Sequence, residues 1–457
     1  MRTIQNIFGA IGLFGLMAVQ SGCEQEELRA IVSPGGENGI HTVAMSFTGQ
    51  LHNYEDAITK AGVQWQNGDK LYITFTVDTT TTPGTAVYQD GKWTLTYEGE
   101  LTVGENKTCT VRYFTSVKSE ASGLIGLGSD SGVYEDLAGV YTYSNGTLSV
   151  NAILSPKFGR IRMKGEPGTK CLVSGIETIS GFYPEDGKYT TGDKALTLNV
   201  GDDGYTPYVY GSFANDSKGI GFLDKQNAYT RYFSEDILAA GESGYMSVPT
   251  AEAHNNWRSG LYVHVGDVTF RMIGITGYSG GYYLMAETEL TNAQYYKVKD
   301  NTTSKLPNYP HKLSYSDCLD YISRLNAATG FTFSLPTYNQ WVWAAKGGSS
   351  SLGRTFAGSD VAIDVAWYNV NAASGAKEVK QKSPNELGLY DMSGNYNEWT
   401  STLENENWAG SYRRAGGCYS DGLEGIKVNS YTYYEGVSTT YFPEGAGMRL
   451  CLNVNLE

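Results

Sequence analysis

Histidine and cysteine are scarce in this chain, at 5 and 6 residues among 457. His254, His264 and His311 share no helical or strand spacing, and a lone histidine is more often a satisfied or solvated residue than a ligand. A multi-histidine metal centre is therefore not expected. Basic charge is also short: 34 Lys and Arg face 48 Asp and Glu, for a formal net charge of −14. Binding phosphates requires basic patches, so nucleic acid is not an expected partner. Neither a Ser-His-Asp order nor a glycine loop set between strand and helix is evident, which removes the commonest hydrolase and nucleotide-binding readings. The apolar run from Ile7 to Val19 is too short to span a bilayer stably.

What is present suits β structure. Hydrophobic residues make up 40% of the chain, enough for a packed core, and 35 Tyr with 56 Gly favour short strands and turns over long helices. At roughly 150 residues per domain the length suggests about three units. Residues 1–22 read as a targeting segment: Arg2 supplies a charged start, the apolar run follows, and Ser21-Gly22-Cys23 closes it. That ending resembles a bacterial lipobox, with Gln20 where the pattern usually has Leu. The resemblance implies that Cys23 is acylated and anchors the chain to the outer membrane at the cell surface; an ordinary secretory signal is the other reading. Glu24, Gln25, Glu26 and Glu27 resemble the acidic export signals of surface lipoproteins in Bacteroidetes-type bacteria, and they begin a polar linker over residues 23–40.

From 41 to 249 short alternating segments follow one another between Gly, Asn and Asp turns. Val43–Phe47, Leu71–Val77, Trp93–Tyr97 and Val111–Phe114 belong to a first set; Gly159–Met163, Leu172–Ile176, Leu196–Val200 and Tyr208–Tyr210 to a second. Their spacing predicts two antiparallel β-sandwich units, over 41–155 and 156–249. The stretch Trp65–Ile73, Trp93, and Arg160-Ile161-Arg162-Met163 are similar to fimbrillin-like pilins. In that family an Arg in the leader is cut to remove a strand and admit a neighbour's donor strand. The resemblance therefore makes Arg29 a candidate processing site and pilin subunits candidate partners. A solvated linker arginine would look the same.

The remainder, residues 263–457, is expected to be an α+β domain. Thr337-x-x-Gln340 and Thr291-x-x-Gln294 read as capping boxes, and Cys318, Leu319, Ile322 and Leu325 lie at helical spacing within a helix predicted over 316–326. In order along the chain come MAETELTNAQYY (285–296), SYSDCLDYISRLN (314–326), LPTYNQWVWAAKGG (335–348), GLYDMSGNYNEW (388–399), RRAGG (413–417) and GMRL (447–450). This ladder resembles the formylglycine-generating-enzyme, or sulfatase-modifying-factor, family, whose domain is a variant of the C-type lectin fold.

The resemblance implies a Ca²⁺ in the 388–399 turn, held by the side chains of Asp391 and Glu398 and the carbonyls of Gly394 and Tyr396. A solvated turn whose acids cap backbone N–H groups is the alternative. Active members bind copper through two cysteines about five residues apart after the Arg-Gly-Gly segment. Here Cys418 stands where the family has Ser, and the next cysteine is Cys451, so copper is not expected. Cys418 and Cys451 are either disulfide-bonded or two separate buried thiols. The expectation is a surface binding protein of fimbrial or adhesin type with a catalytically inactive C-terminal domain that takes an unknown glycan or protein ligand. The alternative is a formylglycine-generating or related maturation enzyme acting on a client protein.

Overall fold

The computed structural model describes residues 39–52, 54, 65–77, 80–121, 123–213, 219–232, 238–247, 257–373, 375–404, 411–432 and 445–456. Cys23, Arg29 and the acidic leader lie outside the described residues. The protein is mainly β, with an α+β C-terminal part.

The first unit is a closed seven-stranded barrel rather than a sandwich. Its strands run in the order Ile40–Leu51, Lys92–Glu98, Thr80–Gln89, Lys70–Val77, Gly104–Phe114, Val133–Ser144, Thr147–Pro156 and back to the first. The closure has one cause: Ile40–Leu51 is long enough to pair with two neighbours. It lies antiparallel to Lys92–Glu98 through Ile40↔Glu98 to Met45↔Trp93, and parallel to Thr147–Pro156 through Met45↔Leu148 to Leu51↔Leu154. Alternation then fills the interior: in Lys92–Glu98 the buried residues are Trp93, Leu95 and Tyr97, and they meet Leu71, Ile73, Phe75, Val111 and Leu148. Closing a sheet removes its free edges. Arg29, and any strand that cleavage there would release, lie outside the described residues.

The second unit is two packed sheets around Ile161, Met163, Val173, Phe213 and Phe222. Neither of its boundaries is a clean linker. The hairpin Ser119–Ala121/Leu124–Gly126, inside the range expected for the first unit, adds to a sheet of the second through Phe182↔Ile125. At the other end, Leu223 and Ala228 belong to the same core as Leu261, Phe270 and Leu284 of the C-terminal part. The Thr230 hydroxyl accepts from the Tyr262 N–H at 3.0 Å and donates to the Gly260 carbonyl at 3.2 Å, stapling the junction.

The C-terminal part holds a five-stranded sheet in the order Leu261–Val265, Val268–Ile275, Tyr283–Ala286, Cys451–Asn453, Phe333–Ser334. Helices α1 (Asn292–Asp300), α2 (Tyr315–Thr329) and α3 (Tyr338–Ala345) each start at a complete capping box, at Thr291/Gln294, Ser314/Asp317 and Thr337/Gln340. Helix α2 runs past the expected 316–326, from its Ser314 cap to a left-handed Gly330. A second sheet, in the order Tyr431–Thr432, Tyr412–Ala415, Asn397–Leu403, Ala446–Gly447, presents the turn that matters most.

Candidate functional site

The segment from Gly388 to Trp399 turns sharply through left-handed residues: Asp391 (φ 57), Gly394 (φ 78) and Asn395 (φ 59). Gly394 has no substitute, since a Cβ there would lie 2.2 Å from the Trp367 carbonyl oxygen. Asn395 is fully buried; its Nδ2 donates to Glu289 Oε2 at 2.6 Å and its Oδ1 accepts from the Lys377 N–H at 2.9 Å. The turn thus hands the chain to strand Asn397–Leu403 with Glu398 pointing inward.

There Glu398 meets Arg449, and both are essentially inaccessible, at 1% and 0% exposure. Arg449 Nε lies 3.0 Å from both carboxylate oxygens and Nη2 lies 2.7 Å from Oε1. The Trp341 indole donates to Oε2 at 2.5 Å. The rest of the guanidinium fork donates to the carbonyls of Ala286 (3.0 Å) and Tyr390 (2.7 Å). One arginine therefore joins strand Tyr283–Ala286, the turn and strand Asn397–Leu403, in the bidentate geometry that makes Arg–carboxylate pairs strong.

Two further carboxylates lie beside this pair. Glu289 accepts from the Tyr396 N–H at 2.8 Å as well as from Asn395, and burial, then the charges of Asp391 and Glu398, push its carboxyl well above the usual range. Asp391 Oδ2 accepts from the Lys380 N–H at 2.8 Å, whereas its buried Oδ1 has no hydrogen-bond partner among the described residues. Burial pushes the Asp391 carboxyl up to about 6.

This arrangement does not fit the expected calcium cradle of Asp391, Gly394, Tyr396 and Glu398. Both oxygens of Glu398 are already engaged by N–H donors, and the cation beside them is the guanidinium of Arg449. A divalent ion there would have to displace those donors while facing a fixed positive charge. Among the described residues no group of three or more His, Cys, Asp or Glu is placed to hold a metal ion. Of the two expected side-chain ligands, Asp391 Oδ1 is the oxygen without a hydrogen-bond partner among the described residues, and Glu398 is committed to an ion pair. Sequence reasoning found both acids and missed Arg449, which lies 51 residues from Glu398. The only local signal for it was the Gly-Met-Arg-Leu motif that contains it.

Residues 227–454 match the family description "sulfatase-modifying factor enzyme 1-like domain". The C-terminal part of this chain is a sulfatase-modifying-factor-like domain. The match starts 36 residues before the expected boundary at 263, in keeping with the shared core at Leu223 and Ala228. One characterised protein, the chaperone protein LppX of Paenibacillus barcinonensis, is 33% identical over 144 residues, covering 27% of this chain and 49% of that protein. The chain therefore spans about half the length of that relative. Among solved structures, Treponema denticola variable protein 1 is 20% identical with a TM-score of 0.37, covering 42% of this chain and 98% of that one. A fimbrial protein from Bacteroides ovatus is 11% identical with a TM-score of 0.23, covering 91% of this chain and 99% of that one. Likenesses this distant transfer no activity.

In the sulfatase-modifying-factor-like domain the segment Arg414–Gly417 delivers Cys418 into a tight site. Gly417 is left-handed, and a Cβ on it would meet the Gly425 carbonyl oxygen at 2.4 Å. Cys418 is buried, with its Sγ 3.1 Å from Ser420 Oγ and its N–H donating to Asp421 Oδ2 at 2.7 Å. Cys451 is buried elsewhere, in the cluster of Trp341, Met392 and Ala415. Both thiols are free, so the disulfide reading is corrected in favour of two separate thiols. Cys451 pairs with Met285 in the five-stranded sheet, whereas Cys418 lies in the loop after strand Tyr412–Ala415. Burial raises the Cys418 thiol above its ordinary range and pushes the Cys451 thiol up to about 12, so both stay protonated at neutral pH.

Proposed function

We propose that this chain is a cell-surface lipoprotein whose sulfatase-modifying-factor-like domain serves as a non-catalytic binding head on a β-rich support of fimbrial or adhesin kind. The observation that carries the non-catalytic part is the surroundings of Cys418. A soft Cu(I) site requires two thiolates, and what surrounds this single protonated thiol is Ser420 and Asp421. The anchoring part rests on Ser21-Gly22-Cys23 and the acidic residues after it.

Two measurements test the reading. Anaerobic Cu(I) titration of the full chain should yield no stoichiometric dithiolate complex, and a sulfatase-type peptide incubated with the chain and copper should gain no formylglycine. Formation of either would move the maturation-enzyme reading to first place. In cells, Cys23→Ala should shift the chain from the membrane fraction to the soluble fraction or stall its precursor. A variant that stays membrane-bound at the wild-type level refutes lipid anchoring.

A further inference from the structure

A cleft of about 440 Å³ opens in the C-terminal domain between strand Val268–Ile275, residues 286–288, the first turn of α1 and Lys380. Its walls are mixed: Val268, Ala293 and Val379 form an apolar part, beside Thr269, Gln294 and Asn308. Two cations stand at one side, sharing a single acid: Arg271 Nη1 is 2.6 Å from Glu287 Oε1, and Lys380 Nζ is 2.8 Å from Glu287 Oε2. The Arg271 and Lys380 side chains, both lining the cleft, are 35% and 43% exposed, against 11% for Glu287, so the cations are the more accessible members of the trio. The trio carries one net positive charge on a chain of net charge −14.

Lys380 is also held where it is at some cost. Its backbone is left-handed (φ 63), a conformation disfavoured for residues with a Cβ. The Lys380 N–H donates to Asp391, and the neighbouring Val379 N–H donates to the Asn308 carbonyl at 3.0 Å. Two cationic heads spaced by the two oxygens of one carboxylate are spaced for another. An Arg fork and a Lys head beside an apolar wall are the groups that recognise an acid with a hydrocarbon body.

We propose that this cleft binds a small organic acid, its carboxylate between Arg271 and Lys380 and its carbon skeleton against Val268, Ala293 and Val379. Glu287 then acts as an internal competitor that keeps the two cations in place while the cleft is empty. The proposal stands whether or not the chain is lipid-anchored.

The probes are phenylacetate, glucuronate and the uncharged benzyl alcohol, each titrated calorimetrically into the full chain. Phenylacetate should bind, with an affinity that falls as salt rises. Glucuronate should bind more weakly because its hydroxyls would lie against Val268, Ala293 and Val379, and benzyl alcohol should not bind measurably. Arg271→Gln and Lys380→Gln, both at partly exposed positions, should each weaken phenylacetate about tenfold or more, as loss of a charge-assisted bond does. Glu287→Gln should tighten it several-fold, because the competing carboxylate is gone. That last result separates a ligand site from a purely structural trio, which would not gain affinity. Comparable binding of benzyl alcohol, stronger binding of glucuronate, no phenylacetate binding at millimolar concentration, or unchanged or weaker binding in Glu287→Gln would each overturn the proposal.

Discussion

Arg449→Met is expected to destabilise the C-terminal domain by roughly 3–5 kcal/mol, the usual cost of removing one partner from a buried ion pair. Met fills much of the arginine's volume, so the loss comes mainly from what the guanidinium leaves behind. Glu398 would remain at 1% exposure with the Trp341 indole as its remaining side-chain donor among the described residues, and the carbonyls of Ala286 and Tyr390 would lose the guanidinium. Glu398→Gln should cost less, since an amide oxygen still accepts from Trp341. The double variant Arg449→Met/Glu398→Leu should be more stable than Arg449→Met alone, because no stranded charge remains. The measurement is denaturant unfolding of the full chain followed by tryptophan fluorescence, with the transition that reports Trp341 and Trp399 analysed separately. A cost below about 1 kcal/mol for Arg449→Met, or a double variant no better than the single, would show that the ion pair is not what holds this turn.

The features legible in the sequence are those whose partners are close along the chain. The capping boxes at Thr291 and Thr337 link residues three apart, and the apolar face of α2 repeats within a turn. Strands such as Lys70–Val77 and Lys92–Glu98 announce themselves by alternation. Thr80–Gln89 did not, because its Thr-rich start and Pro83-Gly84 look like a turn. In the barrel it is a central strand, with Pro83 opposite Thr74. The closure of the barrel was hidden for another reason: Met45 meets Leu148 across more than a hundred residues, and no local pattern encodes that pairing.

The site divides along the same line. Asp391, Gly394 and Glu398 share one short motif and were found together; which cation they face was decided by Arg449, on the last stretch of the domain. The two cysteines show the complement of this. Their spacing in the chain permitted a bond, and the topology buries one in the sheet and one in a loop. Arg271 and Glu287 face each other across neighbouring strands, but Lys380 joins them from 93 residues beyond Glu287, and no motif marked the trio.

Asp391→Asn is expected to stabilise the C-terminal domain near neutral pH, by an amount that shrinks as the pH falls. The folded Asp391 carboxyl is pushed from its ordinary 3.8 up to about 6, chiefly by burial, so the native state holds this proton more tightly than the unfolded chain does. Below about pH 4 both states are protonated and Asp391 costs nothing; as the pH rises through about 6 the native state must ionise a buried group, and stability is lost. This is the reverse of ordinary acid denaturation. Glu289 acts in the same direction.

His311 opposes them in the same window. Burial against Tyr295, whose ring centroid is 3.6 Å away, pushes it down to about 4, so acidification favours its protonated unfolded form. The informative quantity is therefore the difference between Asp391→Asn and wild type, in which His311 cancels. The amide keeps an acceptor for the Lys380 N–H and is neutral at every pH. The variant should be more stable by roughly 1–3 kcal/mol at about pH 7.5, with the gap closing by about pH 4.5. Thermal unfolding with calcium and with chelator adds a second test of the same oxygen. Because Arg449 already occupies Glu398, calcium should leave the wild-type midpoint unchanged. A gap that does not vary with pH would mean Asp391 titrates normally, and a gap that calcium abolishes would place an ion on Asp391 Oδ1 after all.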